Sequence, residues 1–169
     1  LEDTQFDFAI PNGNDVVDVT CPWGNRFRCH LASETFAPMA FGMAYVQFDV
    51  PQGAADGIAR FCEEIFDPAA SVGKWDKAKA ARIGAGHRQE LIFRETKQKL
   101  PDFDRHHIQI YIADFSGPYK QLVERGLVTE ESSQWQYRFE DITDLDDGGV
   151  LFTIEHEVRS MTHPLYARP

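Results

Sequence analysis

The sequence predicts an α+β chain in which one strand–helix unit, followed by further strands, occurs twice. Three observations predict it. A strand-then-helix run at 45–66 returns in the same grammar at 107–126. Each run is followed by further strand-like segments. Those segments close on carboxylates, Glu95 and Glu155, at nearly equal distances along the chain from Tyr45 and His107. Repetition is weighed first because it sets the whole architecture.

The elements follow in order. FDFAI, a PNGN turn, VVDVT and CPWGNRFRCHL read as hairpin strands with no strand–helix ahead of them. Residues 1–37 are therefore expected to be the tail of a truncated preceding unit. The chain opens on Leu1 rather than Met, in a stretch that reads as a strand already under way, which suggests a piece whose N-terminal part is missing.

Residues 38–100 form the first complete unit. Val46, Phe48 and Val50 alternate with Tyr45, Gln47 and Asp49, a period of two. Pro-Gln-Gly then announces a helix start. Ile58, Phe61, Cys62, Ile65 and Phe66 make one apolar helix face, and Asp67-Pro68 ends it. AARIGAG and QELIFRET follow as strands.

Residues 101–169 form the second unit with a C-terminal tail. Ile108, Ile110 and Ile112 alternate with His107, Gln109 and Tyr111. Asp114 or Ser116 can cap a helix with Pro118 in its first turn, Tyr119, Leu122 and Val123 on its stripe, and Gly126 as its stop. QYRFEDIT and VLFTIEHEV follow, joined by DLDDGG, a hairpin loop by composition.

Composition narrows the function. The chain has 169 residues, 43% hydrophobic and 26% charged, as a soluble globular domain does. A net charge of −10, spread without runs, argues against nucleic acid and anionic membrane as partners, since both require basic patches. No apolar run approaches the roughly 20 residues of a membrane span. Cys21, Cys29 and Cys62 are odd in number and contain no CxxC, so the reduced cytoplasm is the expected compartment. Cys62 lies on the helix stripe and reads as a core residue. No phosphate loop or nucleophile elbow is present.

Strand alternation sorts the polar residues of these strands by face. His107, Gln109 and Tyr111 share one face, as do Thr153, Glu155 and Glu157 on the closing strand. Tyr45 and Gln47 take the corresponding places in the first unit. His106 has the wrong parity, while His30, His87, His156 and His163 read as surface or supporting residues.

This pattern resembles the vicinal oxygen chelate superfamily, which includes glyoxalase I, bleomycin-resistance proteins and type I extradiol dioxygenases. The doubled strand–helix–hairpin unit, HHIQIYIADFSGPYKQLVERGL, PWGNRFR and DLDDGGVLFTIE carry the resemblance. It implies paired βαβββ units forming a curved, cup-like mixed sheet with helices on the outside. It also implies metal ligands at the start of each first strand and in each last strand, here Tyr45, Glu95, His107 and Glu155. His107 and Glu155 match the ligand types. Tyr45 departs from the usual His, which leaves it as a substrate contact with Gln47, Gln109, Tyr111 and Trp135.

Two functions follow as expectations. One is a glyoxalase- or dioxygenase-like enzyme chelating a small oxygenated substrate on a divalent ion (Zn, Ni, Fe or Mn), with Glu95 as general base or third ligand. The other is a metal-free protein that clamps an aromatic or antibiotic-like molecule through Tyr45 and Trp135. A third expectation makes this portion a structural partner of a site in the missing unit. The resemblance also implies a homodimer.

Overall fold

The computed structural model describes residues 3–11, 15–36, 39 and 42–166. Residues 12–14 of the expected PNGN turn, Leu1, and the 37/38 boundary lie outside the described residues. The chain forms two bodies, Leu1–Ala44 and Tyr45–Pro169.

The first body carries β1 (Asp7–Ala9), β2 (Val16–Thr20) and β3 (Arg26–His30), an antiparallel sheet in the order β1-β2-β3. Its register, Phe8↔Val19↔Phe27, puts apolar side chains on one face. On the other, Arg28 donates to both carboxylate oxygens of Asp18, at 2.8 and 3.0 Å, and this bond holds Asp18 below the usual carboxylate range. Both side chains are exposed, so the pair adds little stability.

The second body holds β4 (Tyr45–Pro51), α1 (Ala55–Phe66), β5 (Ala70–Trp75), β6 (Ala78–Gly86) and β7 (Gln89–Thr96). After these come β8 (His107–Ile112), α2 (Ser116–Glu124), β9 (Val128–Ser133), β10 (Gln136–Thr143) and β11 (Val150–Ser160). Each half makes a four-stranded sheet of the same order, β4-β7-β6-β5 and β8-β11-β10-β9. In each, the first strand runs parallel to the last, and the remaining pairs are antiparallel. The architecture is α+β with paired βαβββ units. β5 and β9, which the alternation pattern did not single out, complete each unit as one of its two edge strands.

Local sequence accounts for both helices. Gly53 takes φ +92° in the turn before α1, a conformation that costs glycine nothing. The stripe Ile58, Phe61, Cys62 and Ile65 is buried, and burial pushes the Cys62 thiol up to about 12. Asp67 ends α1 at φ +52°, with Pro68 preventing continuation. For α2, Asp114 Oδ1 accepts the Gly117 N–H at 3.0 Å. Leu122 is fully buried, whereas Val123, expected on the same stripe, is 46% exposed because α2 presents a narrower face to the core.

α1 covers its own sheet and also meets the second. The rings of Phe61 and Phe66 lie 6.2 and 5.7 Å from that of Phe139 on β10. Gly57 lets the helix approach β11 closely: a Cβ there would stand 2.6 Å from Leu151 Cδ1. Arg60 completes the joint by donating to Asp146 at 2.8 Å and Asp144 at 3.0 Å. Phe48, Phe93 and Phe152 pack beside it, so the two units share one core.

His156, read from sequence as a surface or supporting residue, belongs to that core. It is 4% exposed, and its ring lies flat on Phe139 at 4.2 Å and 4°. Its parity on β11 opposes that of Glu155, which turns it toward the apolar side. Burial pulls its pKa down from 6.5 to about 4, against a smaller opposing pull from the Ile154 and Phe139 backbones.

Truncating Phe139 to Ala removes a ring shared by both units. We expect a loss of about 3–5 kcal/mol in urea unfolding. Because folding favours neutral His156, its contribution is complete above pH 6.5 and disappears as pH falls from 6.5 toward about 4. The urea midpoint of the unmodified protein should drop through that window, and His156→Phe should flatten the drop.

Candidate functional site

Parallel pairing fixes which side chains share a face. In the second unit Glu155 stands beside His107, Glu157 beside Gln109 and Arg159 beside Tyr111. In the first, Glu90 stands beside Tyr45, Ile92 beside Gln47 and Arg94 beside Asp49. Across the next ladder Arg82 pairs with Ile92, and Arg138 with Glu157. Four positions therefore carry the same residue at equivalent register: Gln47 and Gln109, Arg82 and Arg138, Glu90 and Glu155, Arg94 and Arg159. Each unit turns this set away from its apolar face.

On the second face the charges are closely paired. Arg138 donates through Nη1 to Glu155 at 2.6 Å and through Nη2 to Glu157 at 2.7 Å. Arg159 holds the other oxygen of Glu157 at 2.6 Å, donates to Gln136 at 2.9 Å and reaches the Tyr111 hydroxyl at 3.3 Å. The Glu157 side chain is 5% exposed, so two guanidiniums balance a carboxylate withdrawn from water. His107 lies at the margin, half exposed, with Nδ1 4.0 Å from Glu155 Oε1.

The first face repeats the theme with an indole in it. Arg82 donates to Glu90 at 2.7 and 3.0 Å, with its guanidinium 5.4 Å from the Trp75 ring. Trp75 Nε1 donates to Gln47 at 3.0 Å, and Tyr45 meets the indole edge-on at 5.2 Å. Arg94 forks onto both oxygens of Asp49 and adds Asp76 at 3.1 Å.

The expected site residues are placed unequally. His107, Gln109, Tyr111 and Glu155 share one face, and Tyr45 and Gln47 share the other. Trp135 precedes β10, 6.5 Å from the His163 ring, which also neighbours Tyr111. His106, off the strand face, pairs with Asp104. Glu95 lies on the apolar side, paired with Val50, where its Oε1 accepts the Ala55 N–H of α1 at 3.1 Å. The correction has a simple cause. The counterpart of Glu155 is Glu90, five residues earlier, and an odd displacement changes the face. Sequence reasoning also missed Arg82, Arg138 and Arg159; the recurrence of Gln two residues after Tyr45 and after His107 was the available signal, since the arginines stand at unequal offsets from those residues.

A divalent ion fits these residues poorly. Glu155, whose Oε1 lies 4.0 Å from His107 Nδ1, already gives that oxygen to the Arg138 guanidinium, so a metal there would share the carboxylate with a cation. Among the described residues, no three His, Cys, Asp or Glu side chains are grouped so as to hold an ion.

No family profile matches the sequence, and no curated protein does. Solved structures do. A protein described as a glyoxalase family protein from Bacillus anthracis matches at TM-score 0.50 and 20% identity, over 70% of this chain and 95% of its own. A protein described as a possible glyoxalase from Bacillus cereus matches at 0.50 and 16%, over 71% and 99%. The fosfomycin resistance protein FosX from Listeria monocytogenes matches at 0.50 and 15%, over 72% and 92%. The chain has the fold of the vicinal oxygen chelate superfamily, and at these identities the likeness concerns the fold.

Two substitutions separate the roles assigned here. Arg138→Gln leaves Glu157 short of a cation in a nearly closed position. Its cost in chemical denaturation should be on the order of 2 kcal/mol, below the roughly 3–5 kcal/mol of a fully buried pair because the arginine is partly exposed. Glu95→Ala should cost about 1 kcal/mol, the loss of a helix N-terminal acceptor, and leave ligand binding unchanged.

Proposed function

We propose that this chain is a small-molecule binding protein of the vicinal oxygen chelate fold that works without a bound metal. One observation carries the reading: Arg138 already engages Oε1 of Glu155, the oxygen 4.0 Å from His107 Nδ1, and binds Glu157 beside it. The ligand class is a small oxygenated or aromatic molecule. Tyr45, Gln47, Gln109 and Tyr111 offer amide and phenol groups to its oxygens, and Trp135 offers a stacking surface.

A homodimer fits this reading, because the resemblance implies cups completed across a two-fold axis. The three unpaired cysteines, one of them the exposed Cys29, suit a reducing compartment such as the cytoplasm. No helix among the described residues is long and apolar enough to cross a membrane.

The second reading is a glyoxalase- or dioxygenase-type metal enzyme. The 4.0 Å approach of His107 to Glu155 favours it. Elemental analysis of protein purified without chelator separates the two. The binding reading expects far less than one transition metal per chain, with retention of small aromatic or oxygenated ligands. About one ion per chain, lost in His107→Ala, would overturn it in favour of the enzyme.

A further inference from the structure

On the opposite side of β8 and β11 from the polar face, a cavity of about 340 Å³ lies between the two units. Phe61 and Phe66 of α1, Phe93 of β7, Ile110 of β8, Phe139 of β10 and His156 of β11 contribute to its wall. It reaches solvent beside the exposed end of β6 at Ala85. Its size falls within the range of small-molecule sites, and its wall is mainly apolar and aromatic.

An apolar space of this kind holds water poorly, since water there finds too few polar partners. It also forfeits packing that the surrounding rings would otherwise make. His156, a residue of the wall, has a polar atom left unsatisfied: its Nδ1 is buried without a hydrogen-bond partner. Buried polar atoms of folded proteins nearly always have one. The ring is neutral at ordinary pH, so one nitrogen accepts and the other donates, and a hydroxyl satisfies either.

We propose that this cavity, away from the Arg138–Glu157 cluster, is a second binding site for a small aromatic molecule carrying one hydroxyl group. The aromatic body packs among the phenylalanines, and the hydroxyl meets the imidazole of His156. This assignment stands whether the polar faces bind with or without metal, because it shares no contact with Arg138, Glu155 or His107.

Naphthol and naphthalene are suitable probes, alike in shape and different by one hydroxyl. Calorimetric titration of the unmodified protein should show naphthol binding roughly tenfold more tightly, the size of one hydrogen bond to a buried partner. His156→Phe should bring the two affinities together, and Ala85→Trp, at the mouth, should weaken both. Nuclear Overhauser contacts from naphthol to the Ile110 and Ile142 methyls of the unmodified protein test the location without relying on a variant. Absence of binding, contacts confined to other residues, or a naphthol preference that survives His156→Phe would each overturn the proposal. Loss of polar-face binding in a Tyr45→Ala protein should leave naphthol affinity unchanged.

Discussion

The parallel pairing of first and last strands is the constraint from which the rest of the second body follows. A parallel pair cannot be closed by a tight turn; it needs a crossover, here a helix and two further strands. The crossover leaves one face of each sheet to be covered by helix and core, and the other to carry polar side chains. It also seats Tyr45 beside Glu90 and His107 beside Glu155. A change of one residue in either register would exchange the arginine–carboxylate set for the apolar set.

Within that frame, the arginines decide what the polar faces can do. A carboxylate beside a histidine invites a divalent ion only while its oxygens are available. Here a third-strand arginine, present at the same register in both units, engages that carboxylate. In the second unit Glu157 is gripped by two guanidiniums, so the cluster is neutralised from within the sheet. Charge balance in that cluster is met by side chains of the sheet itself.

Much of the fold was legible because two periods, of two and of 3.6, alternate cleanly along the repeats. Parity grouped His107 with Gln109 and Tyr111, and Glu155 with Glu157; the resemblance brought the two strands together, and the structure pairs His107 directly with Glu155. Glu95 was misplaced because counting from strand starts ignores the turns. The β6–β7 hairpin is tight, whereas β10 and β11 are joined by a longer loop, so equal spacing did not mean equal register. β5 and β9 left little trace because both are edge strands with largely exposed side chains, as in VTEESS. The arginine pairs were hidden for a different reason. A cross-strand contact is invisible until one knows which strands are neighbours. His156 was misjudged because histidine is usually wet, and only its parity on β11 argued otherwise.

The position of α1 has a bearing on how such a duplicated chain could have diverged. A helix that lies against both halves makes each half a template for the other, through Phe61, Phe66 and Gly57 on one side and Phe139 and Leu151 on the other. Neither repeat retains a private interior, so excising either would strand greasy surface in water. The two halves are held as one interior, with Phe139 of one against Phe61 and Phe66 of the other.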